Sequence, residues 1–473
     1  MPKNRESEYI ERIMKKTNER YKRLIKLVFS SILLLGLCAL YGATWMGYYN
    51  RFVLQIPFYR RGNWVIILLY GVLLLFFMNT YGGFKIGYLK NGNLIYSQII
   101  SVLFTNVFTY FQIAVIDKRF VNPNYILLMT LADGIFIAVW TMTFQAVYQY
   151  VFPPRKMLFI EGDRRDYHLE DKINSREDKY EICEVISYKR GIEVIARKID
   201  LYDAVIVGDM PSHERNQILK YCFSVGIRSY SVPKISDILL RSSDELNLFD
   251  TPLLLSRNQG LTPEQQLFKR IEDIVIASCM LVLFSPVFLL ATVAIKCTDG
   301  GPVFYRQERL TQGGKVFMIY KFRTMIVDAE KESGATLATE HDPRILPVGR
   351  ILRATRMDEV PQILNILKGD MSVVGPRPER PVLAAEIQRK IPDFPLRLMV
   401  KAGLTGYAQV YGKYNTTSYD KLKLDLTYIR KFSLFLDLKL IVMTPKIMFL
   451  KESTEGIMLD PDVPEECQRG NRK

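Results

Sequence analysis

Residues 353–381 read RATRMDEVPQILNILKGDMSVVGPRPERP and combine an amphipathic helix with a dense group of charges. The apolar positions follow the i, i+3, i+4, i+7 spacing of a helix with one buried face; they are Val360, Ile363, Leu364 and Leu367. Pro361 is tolerated only in a first helical turn, because it lacks a backbone N–H. Gly369 takes a left-handed C-cap without penalty. The stretch therefore predicts a short helix that begins near Pro361 and ends at Lys368.

Two carboxylates, Asp358 and Glu359, come at or just before the start of this helix. The same stretch contains several arginines, namely Arg353, Arg356, Arg377 and Arg380. Residues 375–378, Gly-Pro-Arg-Pro, form a stiff turn that can hold a guanidinium at a fixed angle for a phosphate. Adjacent acids, arginines and a helix N-terminus are typical of a phosphoryl-transfer or metal site. Acids that complement the helix dipole, or a solvated ion-pair network, explain the same residues, so the chemistry alone leaves the choice open.

The bulk composition favours a membrane protein that handles anions. The chain has 473 residues, a net charge of +15 and 49% hydrophobic residues, which suits an anionic membrane surface and phosphorylated substrates. This length has room for about three domains. No zinc-finger spacing, RNP motif or basic heptad region indicates a nucleic-acid partner. The six scattered cysteines and three histidines argue against a disulfide framework, a zinc site and a Ser-His-Asp triad.

Residues 1–26 are polar and rich in Lys and Arg without a cleavage site, which predicts a cytoplasmic tail ahead of a membrane anchor. Residues 27–152 then predict a four-helix transmembrane bundle. Its spans are Leu27–Tyr48, Trp64–Tyr81, Ile95–Ile116 and Tyr125–Val151. The basic tail favours an orientation with both ends of the bundle in the cytoplasm. Asp133, inside the fourth span, is either a functional intramembrane acid or the partner of a polar group on a neighbouring helix.

Residues 153–255 alternate short apolar runs with helical patterns, which predicts a small Rossmann-like parallel sheet. The strand candidates are Met157–Glu161, Ile182–Ile186, Ala204–Val207 and Arg228–Val232. After the first strand, Gly162 and Asp163 open a loop without the Gly-x-Gly-x-x-Gly pattern, and the aspartate would repel a pyrophosphate. A structural, regulatory or dimerising role is therefore favoured over a dinucleotide site.

Residues 267–296 contain an apolar run that is long enough for a fifth membrane span. Pro286, directly after Ser285, lies in the middle of the run, where a proline removes a helix hydrogen bond and kinks the axis. Because kinked transmembrane helices are common, the residues alone do not decide between a crossing helix and one that returns to the same side.

Residues 297–450 carry several further motifs and predict an α/β-type domain. Residues 301–321 read as a β-hairpin, and Lys321 begins the motif KFRTM at its end. Asp425 and Tyr428 belong to a motif that precedes an apolar helix over residues 438–450, which can lie on a membrane surface. Residues 451–473 predict a loose polar tail.

Taken together, these motifs resemble the signature of the bacterial polyprenyl-phosphate hexose-1-phosphate transferases, the monotopic phosphoglycosyl transferases. The resemblance covers residues 269–450, with departures from the family pattern at Ala402, Tyr407 and Tyr411. It implies an enzyme of the bacterial plasma (inner) membrane with a cytoplasmic catalytic domain. Such an enzyme moves a sugar-1-phosphate from a UDP-sugar onto undecaprenyl phosphate and releases UMP, which starts a surface polysaccharide. The resemblance also implies that residues 267–296 are a re-entrant helix, marked by Lys269, Arg270, Ser285 and Pro286.

The resemblance further implies roles for individual residues. Asp358 would attack the sugar-bearing phosphorus, and Glu359 together with Asp358 would bind Mg²⁺. Lys321, Arg353 and Arg377 would neutralise phosphate oxygens. The other implied substrate contacts are Pro376, Pro378, Arg380, Asp425 and Tyr428.

The expected partners are a UDP-sugar, undecaprenyl phosphate and membrane lipids, with a homodimer as an option and no nucleic acid. The sequence does not name the sugar, for which galactose or glucose is the expectation. An inactive, membrane-anchored nucleotide sensor or scaffold of the same pathway is the alternative, and the intact Asp358–Glu359 pair speaks against it. A transporter or flippase fits poorly, because few charges lie within the spans.

Overall fold

The computed structural model describes residues 3–163, 167–248, 250–256, 260–327, 342, 344–412 and 416–448. The chain forms two compact units, Met1–Val232 and Pro233–Lys473. The predicted tail of residues 451–473 lies outside the described residues.

The first unit begins with apolar helices. They are α1 Lys3–Thr44, which a π-helical segment Trp45–Val53 extends, α2 Arg61–Tyr81, α3 Asn91–Asp117 and α4 Asn124–Val151. Each contains a segment long and apolar enough to cross a membrane. α1 packs against α2 and α4, and α3 also packs against both. The helices fall where the spans are predicted but extend beyond the predicted ends, and the predicted tail of residues 1–26 is helical from Lys3.

Buried polar side chains link these helices. Asp133 of α4 is fully buried, and its Oδ2 accepts a 3.1 Å hydrogen bond from Asn106 Nδ2 of α3. Asn106 Oδ1 in turn accepts a 3.1 Å hydrogen bond from the Tyr70 hydroxyl of α2. Because a buried polar group costs free energy unless it is hydrogen-bonded, the structure favours pairing across helices as the role of Asp133.

A parallel sheet follows the apolar helices, with strand order β2-β1-β3-β4. Its strands are β1 Arg155–Glu161, β2 Tyr180–Ser187, β3 Ala204–Val207 and β4 Arg228–Ser231. The helices between them are α5 Tyr167–Asn174, α6 Ile192–Ile199 and α7 Ser212–Ser224. β3 is buried along its whole length, as expected of a central strand covered on both faces. All four predicted strands are confirmed.

Gly162 marks a close approach of two backbone segments at the end of β1. A Cβ atom there would lie 1.9 Å from the carbonyl oxygen of Asp209, so only glycine fits. Asp163 accepts a 2.6 Å hydrogen bond from the Tyr188 hydroxyl. These contacts indicate a structural role for Gly162 and for Asp163.

The second unit begins with short elements that were predicted to belong to the α/β domain of residues 153–255. They are α8 Ile235–Arg241, β5 Asp244–Leu246 and β6 Leu253–Leu255. Ile235 belongs to the hydrophobic core of the second unit, and Ser242 accepts a 2.7 Å hydrogen bond from Arg430 Nε. The part of the chain that forms the parallel sheet therefore ends at Val232, because the residues after it belong to the second unit.

The rest of the second unit is mostly helical around two small sheets. Its helices are α9 Pro263–Asp299, α10 Pro347–Ala354, α11 Gln362–Lys368, α12 Pro381–Lys390, α13 Tyr407–Tyr411, α14 Ser418–Arg430 and α15 Leu434–Met448. Its strands are β7 Phe304–Leu310, β8 Val316–Phe322, β9 Ser372–Val374 and β10 Gly403–Thr405. β7 and β8 form the predicted antiparallel hairpin, and β9 pairs with β10 in parallel.

α11 is the helix predicted after Pro361, and it ends at Gly369 with a φ of 99° as predicted. Its buried face differs from the prediction. Ile363 and Ile366 are fully buried, whereas Leu364 is 36% exposed. The cause is the preceding 3₁₀ turn, which breaks the α-helical phase that the prediction extended back to Val360.

α9 is one helix that contains Pro286, where the sequence predicts a kink. Pro286 has no N–H to donate to the carbonyl of Val282. The Ser285 hydroxyl donates to that carbonyl instead, at 2.8 Å. The serine side chain thus satisfies the group that the proline leaves without a donor, and this is a recognised way for an apolar helix to tolerate proline.

Candidate active site

Asp358 and Glu359 lie in a tight turn between α10 and α11. Residues Met357–Glu359 form a 3₁₀ turn, and Arg356 before it adopts the left-handed conformation with a φ of 54°. A bulky residue in that region is strained, and such strain persists only where the surrounding structure holds it. The turn therefore places both carboxylates in a fixed arrangement.

Glu359 is the centre of a charge cluster. Its Oε1 accepts hydrogen bonds from Lys321 Nζ at 2.8 Å and from Arg377 Nη2 at 3.2 Å. Burial acts to raise the pKa of Glu359, but the attraction of Arg377 and Lys321 outweighs burial and lowers that pKa to about 2. Glu359 is therefore an anion at every physiological pH.

Asp358 differs from its neighbour in its contacts. Its side chain makes no hydrogen bond or ion pair with another residue in the part of the chain that the structure describes. Burial raises the pKa of Asp358; Glu359 adds to this effect, while Lys321 and Arg353 oppose it. A half-buried carboxylate without a committed partner is available to attack an electrophile.

Arg353 of α10 is oriented by Thr324, whose hydroxyl accepts a 2.8 Å hydrogen bond from Arg353 Nε. Sequence reasoning missed Thr324, although it stands in the KFRTM motif beside Lys321. The motif thus supplies Lys321, which is one cation of the site, and Thr324, which positions the cation Arg353.

The Gly-Pro-Arg-Pro turn holds Arg377 through its backbone. A Cβ atom on Gly375 would lie 2.3 Å from a neighbouring carbonyl oxygen, and the Pro376 carbonyl accepts a 2.9 Å hydrogen bond from the Gly403 N–H. Pro376 and Pro378 are buried, whereas 47% of the Arg377 side chain is exposed. The turn therefore presents one guanidinium on a rigid support, as the sequence predicts.

Asp425 and Tyr428, predicted as substrate contacts, lie inside the domain instead. Asp425 is 1% exposed and forms a 2.8 Å ion pair with Arg397 Nη2. The Tyr428 hydroxyl, also buried, donates to Asp437 Oδ1 at 2.9 Å and to the Val374 carbonyl at 3.2 Å. Neither side chain is accessible to a substrate in this structure, and the contacts of both residues stabilise the fold.

Lys269 and Arg270 fasten the start of α9 to the rest of the unit. Lys269 Nζ forms a 2.5 Å ion pair with Asp437 Oδ2. Arg270 donates to the Ile366 and Leu367 carbonyls at the end of α11, at 2.6 and 2.7 Å. Asp273, which sequence reasoning did not single out, accepts hydrogen bonds of 2.8 and 2.9 Å from the start of β9. These residues position α11 and β9, which both follow the dyad in the chain.

A cavity of about 330 Å³ opens beside Arg377. Its lining combines apolar groups with Arg377, Glu379, Gln388 and Arg397, and α12 forms one of its walls. Arg380 directly precedes α12 at its N-cap position. A concave, mostly apolar space of this size with a few polar groups is typical of a small-ligand site.

The residues present fit Mg²⁺ only if a bound substrate supplies some of the ligands of the ion. The described parts of the chain hold no group of three His, Cys, Asp or Glu side chains suited to a metal ion. Mg²⁺ is nevertheless commonly bound by one or two carboxylates, with waters and substrate phosphates as its other ligands. The hydrogen bonds from Lys321 and Arg377 to Glu359 both reach Oε1 and not Oε2. The dyad therefore suits Mg²⁺ that binds together with a phosphorylated substrate.

Most of the second unit matches a family of known proteins. The family model described as Bacterial sugar transferase matches residues 264–451. A UDP-glucose:undecaprenyl-phosphate glucose-1-phosphate transferase of Klebsiella pneumoniae is 40% identical over 228 residues, which are 46% of this chain and 47% of that protein. A UDP-N-acetylgalactosamine-undecaprenyl-phosphate N-acetylgalactosaminephosphotransferase of Aeromonas hydrophila is 37% identical over 251 residues, 51% of this chain and 58% of that protein. The aligned part spans about half the length of each of these relatives.

A shorter relative is covered more fully. A UDP-glucose:undecaprenyl-phosphate glucose-1-phosphate transferase of Caulobacter vibrioides is 41% identical over 203 residues, 41% of this chain and 75% of that protein. The region matched by the family model includes the dyad, the cations around it and the cavity. On this evidence the chain belongs to the bacterial sugar transferase family.

Proposed function

We propose that the chain transfers a sugar-1-phosphate from a UDP-sugar to undecaprenyl phosphate, as the first membrane step of surface polysaccharide synthesis. The observation that carries the proposal is the contrast within the dyad. Glu359 is held by Lys321 and Arg377, whereas Asp358 has no such partner among the described residues. The names of the relatives support undecaprenyl phosphate as the acceptor, and they include more than one sugar. An inactive scaffold is not favoured, because both carboxylates and the cations around them are in place.

The reaction proceeds in two half-reactions. An Asp358 oxygen attacks the sugar-bearing phosphorus of the UDP-sugar, the bond from that phosphorus to UMP breaks, and UMP leaves. An oxygen of undecaprenyl phosphate then attacks the same phosphorus, and Asp358 departs as a carboxylate. Lys321, Arg353 and Arg377 balance the charge of the phosphate oxygens in both steps. Mg²⁺, when bound by the two carboxylates, supplies further charge neutralisation.

The direct test of this function is UMP release from a panel of UDP-sugars, measured in membranes that contain the protein and undecaprenyl phosphate. Release of UMP with one or more sugars, coupled to sugar-phosphate in the lipid fraction, is expected. Absence of both products with every UDP-sugar tested would contradict the proposal.

Glu359→Gln is expected to lower activity by about 10- to 100-fold, the usual effect of weakening the support of a metal site. The amide keeps the shape of the side chain but loses the charge that holds Lys321, Arg377 and Mg²⁺. The remaining activity should therefore need more Mg²⁺ than the wild type does. The measurement is transfer rate as a function of Mg²⁺ concentration.

Glu308→Gln is the matched control, because Glu308 is an exposed carboxylate on β7. This variant should keep the wild-type dependence on Mg²⁺. If Glu359→Gln also keeps the wild-type dependence, Glu359 does not support a metal ion.

The cavity beside Arg377 is proposed to receive the nucleoside part of the UDP-sugar. Arg377 lines the cavity and also bonds to Glu359, so a donor whose phosphates lie at the dyad can extend into this space. Ala385→Phe would fill part of the cavity from α12. We expect it to raise the KM for the UDP-sugar by about 10-fold or more, with a smaller change in kcat, since steric changes in a pocket cost about 1–3 kcal/mol.

Val382→Phe provides the control, because Val382 is on the same helix but is 72% exposed and does not line the cavity. It should leave the KM unchanged. An unchanged KM for Ala385→Phe would place the nucleoside elsewhere.

The membrane arrangement is proposed from the contacts of α9. The helix has 37 residues with Pro286 inside it, where a proline bends a helix axis, and its outer face is apolar and exposed at Val282 and Leu290. Its start is tied to the unit by Lys269 and Arg270, and its end by Asp299, whose Oδ2 accepts a 2.6 Å hydrogen bond from Arg323. Because one folded unit holds both ends, we place α9 as a re-entrant helix in one leaflet. α1–α4 then act as a four-helix anchor in the inner membrane, with the Rossmann-like sheet and the catalytic unit in the cytoplasm.

This topology predicts how single cysteines react with a membrane-impermeant reagent in intact cells. In a background without the native cysteines, Tyr59→Cys should be labelled, because Tyr59 is 80% exposed in the predicted outer loop between α1 and α2. Lys315→Cys, on the exposed turn of the β7–β8 hairpin, should be labelled only after the cells are opened. Labelling of Lys315→Cys in intact cells would contradict a re-entrant α9.

A further inference from the structure

Two lysines contact the ring of one tyrosine at one end of the apolar helices. This is the end at which α4 leads into the parallel sheet. The ammonium of Lys26 on α1 lies 4.5 Å from the ring centroid of Tyr88, and that of Lys179, just before β2, lies 4.3 Å from the same ring. Neither lysine forms an ion pair with a carboxylate in the part of the chain that the structure describes. Two ammonium groups therefore share one aromatic ring without a neutralising acid of their own.

Further cations surround this pair. Lys22, one turn before Lys26, lies 4.7 Å from the Phe152 ring, and Arg155 begins β1 with 9% exposure. Burial lowers the pKa of Lys179, and the nearby Arg176 and Arg155 add to the lowering. The nearest acid in the chain, Asp178, is engaged by Arg176 at 2.8 Å. The cluster is thus a half-buried concentration of positive charge.

The cluster lies at one end of the apolar helices. Lys22 and Lys26 precede the most apolar part of α1, Tyr88 is in the turn between α2 and α3, and Phe152 follows α4. All three places are at the same end of the apolar helices, as their mutual contacts show. Aromatic rings and basic side chains at helix ends are typical of the lipid headgroup region.

The space at the cluster limits what can bind there. The cleft bounded by Lys22, Tyr148, Arg155, Lys179 and the Arg176-paired Asp178 has a volume of only about 20 Å³. A nucleoside or a sugar needs far more room. A phosphate group at the mouth of the cleft can meet the ammonium groups from outside, with the rest of its molecule in the bilayer.

We propose that this cluster, centred on Lys26, Tyr88 and Lys179, binds the phosphate of an anionic phospholipid headgroup. Basic pockets between membrane helices are known to bind such headgroups. A lipid is favoured over free phosphate because the lysines sit at helix ends where a headgroup is already concentrated. The site lies in the first unit, so it does not depend on the proposed transfer reaction.

The test uses the full chain in nanodiscs of equal parts phosphatidylcholine and phosphatidylglycerol. Lipids that stay bound after detergent extraction are counted by native mass spectrometry. The wild type should retain phosphatidylglycerol in preference to phosphatidylcholine. Lys26→Gln combined with Lys179→Gln should weaken this preference by roughly 10-fold or more, from the contribution expected of each basic residue near a membrane surface.

Two matched variants complete the test. Lys156→Gln with Lys220→Gln removes the same charge from exposed lysines of the same unit and should keep the preference. Lys26→Arg with Lys179→Arg keeps the charge and should keep the preference as well. Equal retention of phosphatidylglycerol by the wild type and the Lys26→Gln, Lys179→Gln protein would overturn the proposal.

The wild type alone provides two tests that need no variant. Absence of any preference for phosphatidylglycerol would overturn the proposal, whether or not the variants fold. Competition with inorganic phosphate distinguishes a lipid headgroup from free phosphate as the ligand of the cluster. Inorganic phosphate should not displace the retained lipid. Displacement by millimolar phosphate would show that the cluster takes free phosphate, and the lipid assignment would then be wrong.

Discussion

Asp358→Asn is expected to abolish transfer, with a loss in kcat on the order of 10⁴-fold or more, because the amide cannot form the acyl phosphate. In the proposed mechanism both half-reactions pass through this residue, so UMP release without lipid and complete transfer should disappear together. The measurement is UMP release and label in the lipid fraction, at equal protein levels. The effect should be larger than that of Glu359→Gln, which leaves the nucleophile in place.

Asp358→Glu serves as the charge-conserving comparison. One added methylene moves the nucleophilic oxygen by roughly 1 Å, and a misplacement of that size costs on the order of 10²-fold in rate. The expected order of activity is therefore wild type, then Asp358→Glu, then Asp358→Asn. If Asp358→Asn keeps a rate within about tenfold of the wild type, the carboxylate is not a nucleophile.

Asp425→Asn is expected to destabilise the catalytic unit by about 3–5 kcal/mol, the usual effect of breaking a buried ion pair. Arg397 is 4% exposed, and its 2.8 Å contact with Asp425 is shorter than its 3.6 Å contact with Glu379. The substitution would leave the Arg397 charge buried with only the more distant partner. The measurement is the midpoint of thermal unfolding of the purified protein in detergent, which should fall.

Asp420→Asn is the control on the same helix. Its ion pair with Lys423 is 3.4 Å long and its side chain is 42% exposed, so its loss should change stability by less than about 1 kcal/mol. If Asp425→Asn keeps the wild-type midpoint and instead weakens donor binding, the sequence-based assignment of Asp425 to the substrate is right and the structural role is wrong.

The features that the sequence predicts well are those set by local chemistry. Long apolar runs place α1 to α4, because a membrane span needs about 20 consecutive apolar residues. Gly369 ends α11 because it alone adopts the required positive φ without strain. The charges near the dyad also come together as predicted, with Lys321 and Arg377 both bonded to Glu359.

The features that the sequence does not predict depend on contacts between distant residues. Asp425 belongs to a sequence motif, but its buried partner Arg397 lies on a different segment of the chain. The sequence therefore does not distinguish a substrate-binding role of Asp425 from a structural one. α9 stays helical through Pro286 because the Ser285 side chain supplies a donor to the Val282 carbonyl, and the sequence pattern does not show this contact. The sequence does not show the domain boundary at Val232, because the boundary depends on which unit residues 233–255 pack with.

The central claim, a covalent intermediate on Asp358, is tested most directly with labelled UDP-sugar and no lipid acceptor. Label should be trapped on the peptide that contains Asp358, with UMP formed in an amount equal to the protein, and undecaprenyl phosphate should then discharge the label into lipid. If UMP appears only when undecaprenyl phosphate is present and no labelled peptide forms, the lipid attacks the donor directly. Asp358 would then be a metal ligand or a general base.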